Sequence, residues 1–143
     1  MKDLNFKQKI LLTLLRVLDK KPMSPIQIMK ALFLYSQEEK PQNFYIFKPY
    51  LYGPCSFEVY SDINKLFSNG LIVESPSYYS WNFYSISSKG EDCLQRSVKK
   101  EEIEKIKETV ISKSFIGLLK YVYSKYPEYT NNSIINKEIL KEL

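Results

Sequence analysis

Apolar residues recur at helical spacing through the N-terminal part of the chain. Residues 6–20, FKQKILLTLLRVLDK, place apolar side chains on one stripe of a predicted helix that Pro22 ends. Ser24 followed by Pro25 is typical of an N-cap and a first helical position, so we predict a second helix there. The first stripe comprises Ile10, Leu11, Leu14, Leu15 and Leu18, and the apolar face of the second helix comprises Ile28, Ala31, Leu32 and Tyr35.

Residues 40–54, KPQNFYIFKPYLYGP, interrupt the helical pattern with three prolines and a glycine among aromatic residues. Because proline fixes φ and lacks an amide donor, we expect an extended, short-stranded insert with a turn at Gly53-Pro54. A third helix is predicted next, with Ser56 as its cap and Asn69-Gly70 as its C-terminal stop. Its predicted apolar stripe comprises Phe57, Tyr60, Ile63, Leu66 and Phe67.

The second half of the chain begins with two β-prone runs, LIVE and YYSWNFYSI, on either side of a Ser-Pro-Ser turn. This arrangement predicts a β-hairpin. Residues 89–111 predict a charged amphipathic helix, SFIGLLKYVYSKY predicts another that ends at Pro127, and the tail TNNSIINKEILKEL predicts a short last helix. The seam of the 89–111 helix can pack on its own domain or on a second copy, and a long helix in this place favours a homodimer. This seam comprises Ile103, Ile106 and Val110.

The order helix, helix, irregular link, helix, two-stranded hairpin is that of a winged helix-turn-helix. Within it, residues 69–72 (NGLI) and 84–90 (YSISSKG) resemble the "L..NGLI … Y.LT.KG" pattern found at the recognition helix and wing of many winged-helix proteins, with Gly90 expected to permit the turn into the next helix. We therefore expect an α+β, mainly α fold with a two-stranded wing. The winged-helix domain should span residues 1–92, including the aromatic insert 40–54, followed by a C-terminal helical extension over 93–143.

A narrower resemblance covers most of the chain. Residues 30–34 (KALFL), 50–54 (YLYGP) and 57–60 (FEVY) resemble the "KLLYL … YGP … ELY" spacing of Panacea-type (SocA-like) antitoxin domains and of bacterial proteins of the YwgA type, and residues 118–129 continue it. The resemblance implies a winged-helix-like fold. It also implies a binding role, often opposite a toxin or a protease adaptor.

The composition favours a binding protein over an enzyme. The chain has no histidine, so a Ser-His or Cys-His nucleophile pair is excluded, and two separated cysteines leave no recognisable zinc site. No glycine-rich phosphate loop is present, and the paired carboxylates lie in lysine-rich polar runs. We expect no enzymatic activity and no cofactor, with Cys55 and Cys93 reduced. We also expect no membrane span and no signal peptide, hence a cytoplasmic location.

Double-stranded DNA is the first candidate partner, since the net charge is +5 and the winged helix is a common DNA-binding fold. The third helix would present Glu58, Ser61, Asp62, Asn64, Lys65 and Ser68. Two carboxylates near its start suit a phosphate-lined groove poorly, although Asn64 can pair with adenine. The residues expected to contact DNA are Lys7, Lys9, Lys30, Ser61, Asn64 and Lys65.

A protein partner is the alternative, because the chain contains twelve tyrosines, many of them in the insert and the wing. Exposed tyrosines favour protein interfaces, while packing of the insert in the core would account for about half of them. This alternative describes an interaction module without DNA binding. The residues expected to contact the partner are Tyr45, Tyr50, Tyr52, Tyr79, Trp81 and Tyr84.

Overall fold

The computed structural model describes residues 4–17, 21–51, 53–76, 82–95 and 100–130. Its first two helices, α1 (Phe6–Val17) and α2 (Pro25–Glu39), confirm the two helices predicted from apolar spacing. Ser24 begins α2 with a capping box, because its side chain accepts a hydrogen bond from the Gln27 amide and the Gln27 side chain accepts one from the Ser24 amide. Residues 28–35 of α2 are all buried, so this helix lies at the centre of the fold.

The insert between α2 and the next helix contains an antiparallel hairpin of β1 (Lys48–Tyr50) and β2 (Gly53–Cys55), which confirms the expected short strands. The turn predicted at Gly53-Pro54 is wrong, because both residues pair with β1 and the turn begins at Leu51. Pro49 and Pro54 are paired across it. Because proline has no amide hydrogen, the middle residue of each strand cannot donate to a further strand. Gly53 has a φ of +91°, a left-handed conformation that glycine adopts without strain.

A second antiparallel hairpin, of β3 (Ile72–Ser75) and β4 (Phe83–Ile86), follows α3 (Phe57–Ser68), as the sequence predicts. Met23, between α1 and α2, also pairs with Tyr84 of β4: each backbone amide donates to the other residue's carbonyl oxygen at 2.8 Å. Three extended segments therefore lie side by side at this edge of the fold. The predicted partner residues Tyr79 and Trp81 lie outside the described residues.

The part of the chain that follows β4 is mainly helical over the residues that the structure describes. It comprises α4 (Ser88–Gln95), α5 (Lys100–Ile106) with a π-helical turn (Lys107–Ile111), α6 (Phe115–Lys125) and a 3-10 turn (Pro127–Tyr129). Ile106 and Val110 are buried where α5 and the π-helical turn pack on α1 and α2. The seam considered for a homodimer is thus largely covered by the chain itself. The predicted last helix lies outside the described residues, apart from its first residue, Thr130.

The described part of the chain is mainly helical, with two small antiparallel sheets, and so has an α+β, mainly α fold. The apolar stripe predicted for α3 is corrected in one respect: Phe57 and Phe67 are exposed, whereas Val59 and Asp62 are buried. The reason is that the Asp62 carboxyl group finds hydrogen-bond donors inside the protein. Among the described helices, none has both the length and the apolar character needed to cross a membrane.

Candidate interaction surface

A group of exposed apolar side chains lies on the β1–β2 hairpin, on the segment just before it and on the first turn of α3. Four of the seven large hydrophobic residues exposed in the described part of the chain are here, so the exposure is concentrated rather than scattered. We call these four residues the hairpin surface: Ile46 (76% exposed), Tyr50 (47%), Leu51 (45%) and Phe57 (65%). Tyr50 and Phe57 meet edge to face, with ring centroids 5.3 Å apart.

The Tyr50–Phe57 ring pair forms a ridge between two pockets. The outer pocket, of about 400 Å³, is lined on the β1 side by Ile46, Lys48 and Pro49. The inner pocket, of about 130 Å³, reaches Met29, Lys30 and Gly53 beneath the hairpin. Tyr50 and Phe57 line both pockets. The hairpin surface is therefore an apolar ridge with a depression on each side.

Lys30 lies under the inner pocket and is only 1% exposed. A β-carbon added at Gly53 would lie 3.3 Å from Lys30 Nζ and 3.5 Å from Cε1 of Tyr123, so glycine leaves room for the ammonium group between β2 and α6. Burial lowers the pKa of Lys30 from 10.5 to about 8, against a smaller opposing effect of Cys55. Lys30 was predicted to contact phosphate, and this position corrects that assignment because the ammonium has no access to DNA.

The lowered pKa of Lys30 predicts that stability depends on pH. The folded protein binds this proton less tightly than the unfolded chain, so Lys30 should contribute a rise of about 2 kcal/mol to the free energy of unfolding between about pH 7 and about pH 9.5. The variant Lys30→Met should lack that rise and be more stable than the wild type near neutral pH. Urea unfolding of both proteins at the two pH values measures this. An equal rise in the variant would contradict the assignment to Lys30.

The effect of Lys30 is the difference between the pH dependences of the wild type and of Lys30→Met, because other groups also titrate between about pH 7 and about pH 9.5. Burial raises the pKa of the Cys55 thiol and the charge of Lys30 opposes that rise, so Lys30→Met also alters the titration of Cys55; both proteins should therefore carry Cys55→Ser. Burial and a hydrogen bond to Asp62 raise the pKa of Tyr45. This shift lowers the stability of the folded protein only where the same tyrosine ionises in the unfolded chain, near pH 10. In the Cys55→Ser background, the difference between the two proteins up to about pH 9.5 therefore reports the titration of Lys30.

A buried hydrogen-bond network fixes the insert against α1 and α3. The Tyr45 hydroxyl donates to Asp62 Oδ2 at 2.7 Å, and Gln8 Nε2 donates to Asp62 Oδ1 at 3.1 Å. Tyr45 and Asp62 are 3% and 2% exposed. Tyr45, predicted to contact a partner, is therefore corrected to a core residue, and Asp62, predicted to be exposed on α3, is corrected to a buried one.

The remaining residues predicted to contact DNA divide into two groups. Ser61, Asn64 and Lys65 are exposed on α3, where the sequence places them. Lys7 is instead held by Glu58, with Nζ 2.6 Å from Oε2, and its ammonium also lies 5.5 Å from the centre of the Tyr45 ring. Lys9 is half-buried on α1. The structure thus brings together three candidate DNA contacts on α3 and engages Lys7 in an ion pair.

Among the tyrosines predicted to contact a partner, Tyr50 is exposed and Tyr84 is half-buried on β4, with its ring 6.4 Å from that of Phe67. Tyr52 lies outside the described residues. Sequence reasoning did not single out Ile46, Leu51 or Phe57. The sequence did contain a signal for this surface, namely an isoleucine and a leucine inside a proline-rich insert. Such an insert has little core of its own, so apolar side chains in it can remain exposed.

The described residues contain no group of three or more His, Cys, Asp or Glu side chains that could hold a metal ion. No disulfide joins Cys55 and Cys93, both of which are half-buried. Neither pocket beside the hairpin surface is lined by a pair of carboxyl groups. The chemistry available at this surface is therefore apolar contact with lysine nearby.

No protein-family model matches the chain, and no curated protein matches it either. The winged-helix and antitoxin resemblances therefore stay predictions.

Proposed function

We propose that this chain is a non-enzymatic, antitoxin-like regulatory protein of winged helix-turn-helix architecture that binds a protein partner through its hairpin surface. The observation that carries the proposal is the group of four exposed apolar side chains beside the start of α3. Aromatic residues are enriched at protein interfaces, and a few clustered anchors supply most of the binding energy there.

The pairing of Met23 with Tyr84 supports the winged-helix part of the proposal. In that fold a short strand between the first two helices joins the two strands of the wing. Met23 occupies the corresponding position and exchanges both backbone hydrogen bonds with β4. The order helix, bridge, helix, helix and wing hairpin then matches the winged helix, with the β1–β2 hairpin inserted before α3.

The character of the hairpin surface favours a protein over DNA. DNA-binding surfaces place cationic and polar groups against phosphates, whereas the first residue of α3 is an exposed phenylalanine in contact with Tyr50. The hairpin also projects Leu51 at its turn. Phosphates would gain little from these side chains, while an apolar protein surface would bury them.

We predict that the double variant Tyr50→Ser/Phe57→Ser loses the partner while remaining folded. Removing two central aromatic anchors should weaken binding by about thirtyfold or more. Affinity capture from a lysate of the source organism, with the immobilised variant and wild type compared by mass spectrometry, would measure this. The matched control is Val73→Ser, because Val73 is 45% exposed on β3 and lies outside the hairpin surface. Equal recovery of every protein by all three forms would contradict the proposal.

DNA binding through α3 is the second candidate, and one observation favours it. The two carboxyl groups that opposed DNA binding are both altered: Asp62 is buried, and Glu58, although exposed, is paired with Lys7. Ser61, Asn64 and Lys65 then remain exposed on the helix. Fluorescence anisotropy with mixed duplex DNA at low and moderate salt tests it, since phosphate contacts give binding that weakens steeply with salt.

A further inference from the structure

The backbone of the β1–β2 hairpin restricts how a partner can bind the hairpin surface. A peptide that extended the sheet would need consecutive amide donors and carbonyl acceptors along one edge. Pro49 and Pro54 deprive the middle residue of each strand of its donor. Strand addition is therefore disfavoured, and recognition must depend on side chains that enter the two pockets.

The two pockets of the hairpin surface can each accept one apolar side chain of a partner. The ridge formed by Tyr50 and Phe57 is shared by both pockets, so one apolar side chain on each side of it would bury both rings. The inner pocket of about 130 Å³ has the volume of roughly four waters at about 30 Å³ each, which suits one small aliphatic side chain. The outer pocket of about 400 Å³ admits a larger one.

The charged side chains that line the two pockets are both cationic. Lys48 lines the outer pocket and Lys30 the inner pocket, and no acidic residue in the described part of the chain lines either. Glu58, next to Phe57 in sequence, forms an ion pair with Lys7 at 2.6 Å. Glu128 lies in the 3-10 turn that packs on β1, but it lines neither pocket. An apolar segment with carboxylates on its flanks is complementary to this arrangement, and a basic one is not.

We propose that the hairpin surface recognises an acidic amphipathic segment of another protein, with two apolar side chains astride the Tyr50–Phe57 ridge and a flanking carboxylate against Lys48. This inference rests on the proposed function and specifies its partner. Lys48 is exposed, so it can meet a carboxylate directly. Lys30 is buried, so it attracts the carboxylate electrostatically at a distance and does not contact it.

Selection from a random peptide display library against the full chain tests this inference, and it does not require the natural partner to be identified. Peptides that also bind the Tyr50→Ser/Phe57→Ser variant are removed. The expected consensus has two apolar positions with Asp or Glu beside them. For a synthetic peptide of that consensus, Lys48→Glu should lower the affinity about tenfold, by loss of one attraction and gain of one repulsion. The matched control Lys107→Glu, an exposed lysine of the π-helical turn, should change it less than about twofold.

Three results would overturn the inference. One is a consensus that depends on Tyr50 and Phe57 but is neutral or basic. Another is equal loss of affinity in Lys48→Glu and Lys107→Glu. The third is enrichment of no peptide that requires the hairpin surface. The proposed function is judged separately by the capture experiment, since a neutral partner lost by the Tyr50→Ser/Phe57→Ser variant would support that function and still contradict an acidic segment.

Discussion

Replacing Asp62 with alanine should lower the free energy of unfolding by about 4 kcal/mol, because two buried donors would lose their acceptor. The Tyr45 hydroxyl and the Gln8 side-chain amide both donate to this carboxyl group. Asp62 is 2% exposed, so little water can take its place. Tyr45 belongs to the insert, so the loss of its hydrogen bond to Asp62 should also increase local unfolding of the hairpin surface. Urea unfolding measures the first effect, and hydrogen exchange over residues 44–55 measures the second.

Asp62→Asn is the matched variant for this prediction. Asparagine keeps the volume and one acceptor but presents an amide N–H towards a donor, so the expected loss is about 2 kcal/mol. Asn64→Ala, on the exposed face of α3, should change stability by less than about 0.5 kcal/mol. A loss in Asp62→Ala as small as that in Asn64→Ala would contradict the buried network.

Gly90→Ala should destabilise the protein by about 3 kcal/mol. A β-carbon at this position would lie 2.8 Å from Cγ1 of Ile86 and closer still to the Leu71 carbonyl oxygen, so backbone rather than a mobile side chain blocks it. Gly90 lies within the first turn of α4, where its amide donates to the Ser87 hydroxyl. The sequence suggested glycine for a turn into the next helix; its observed role is close packing of that helix against the start of the wing.

Gly117→Ala is the control for Gly90→Ala. Gly117 is also in the first turn of a helix, α6, but a β-carbon there would meet only side-chain atoms, 3.2 Å from the Ser114 hydroxyl and 3.8 Å from Lys113 Cβ. The higher helix propensity of alanine opposes that tight contact, so we expect a change within about 1 kcal/mol. Thermal unfolding of the two variants should therefore differ clearly. Equal midpoints would show that α4 can shift away from Leu71 at low cost.

Local chemistry made much of the fold predictable. The Ser24-Pro25 start of α2, the Asn69-Gly70 stop of α3 and the β3–β4 hairpin depend on residues close together in sequence, and all three occur as predicted. The extended insert also followed from its prolines, since their fixed φ and missing amides act locally.

Burial of polar residues was not predictable in the same way. Lys30, Tyr45 and Asp62 were assigned to the surface by residue type, and their burial depends on neighbours distant in sequence. Asp62 is satisfied by a residue 54 positions away and another 17 positions away. Helical periodicity alone could not reveal that α3 is rotated to bury Asp62 and expose Phe57, because an aspartate normally marks the solvent face.

The region of the candidate site was predictable, but of its four residues only Tyr50 was predicted. The aromatic insert was identified as a partner surface, and Tyr50 is exposed in it, while Tyr45 lies in the core. Phe57 was assigned to the apolar stripe of α3, yet its ring contacts Tyr50 on the outside. The hairpin surface forms only when the insert folds back beside α3, a contact between elements that no local pattern encodes.

Site-specific photo-crosslinking in cells of the source organism tests the central claim, partner binding by the hairpin surface, most directly. A benzophenone side chain would replace Ile46, which is 76% exposed on that surface, and in a second protein it would replace Val73 on β3. If the hairpin surface binds the partner, position 46 should give one discrete protein adduct and position 73 none. Adducts of equal yield at both positions, or an adduct at position 73 alone, would contradict the central claim.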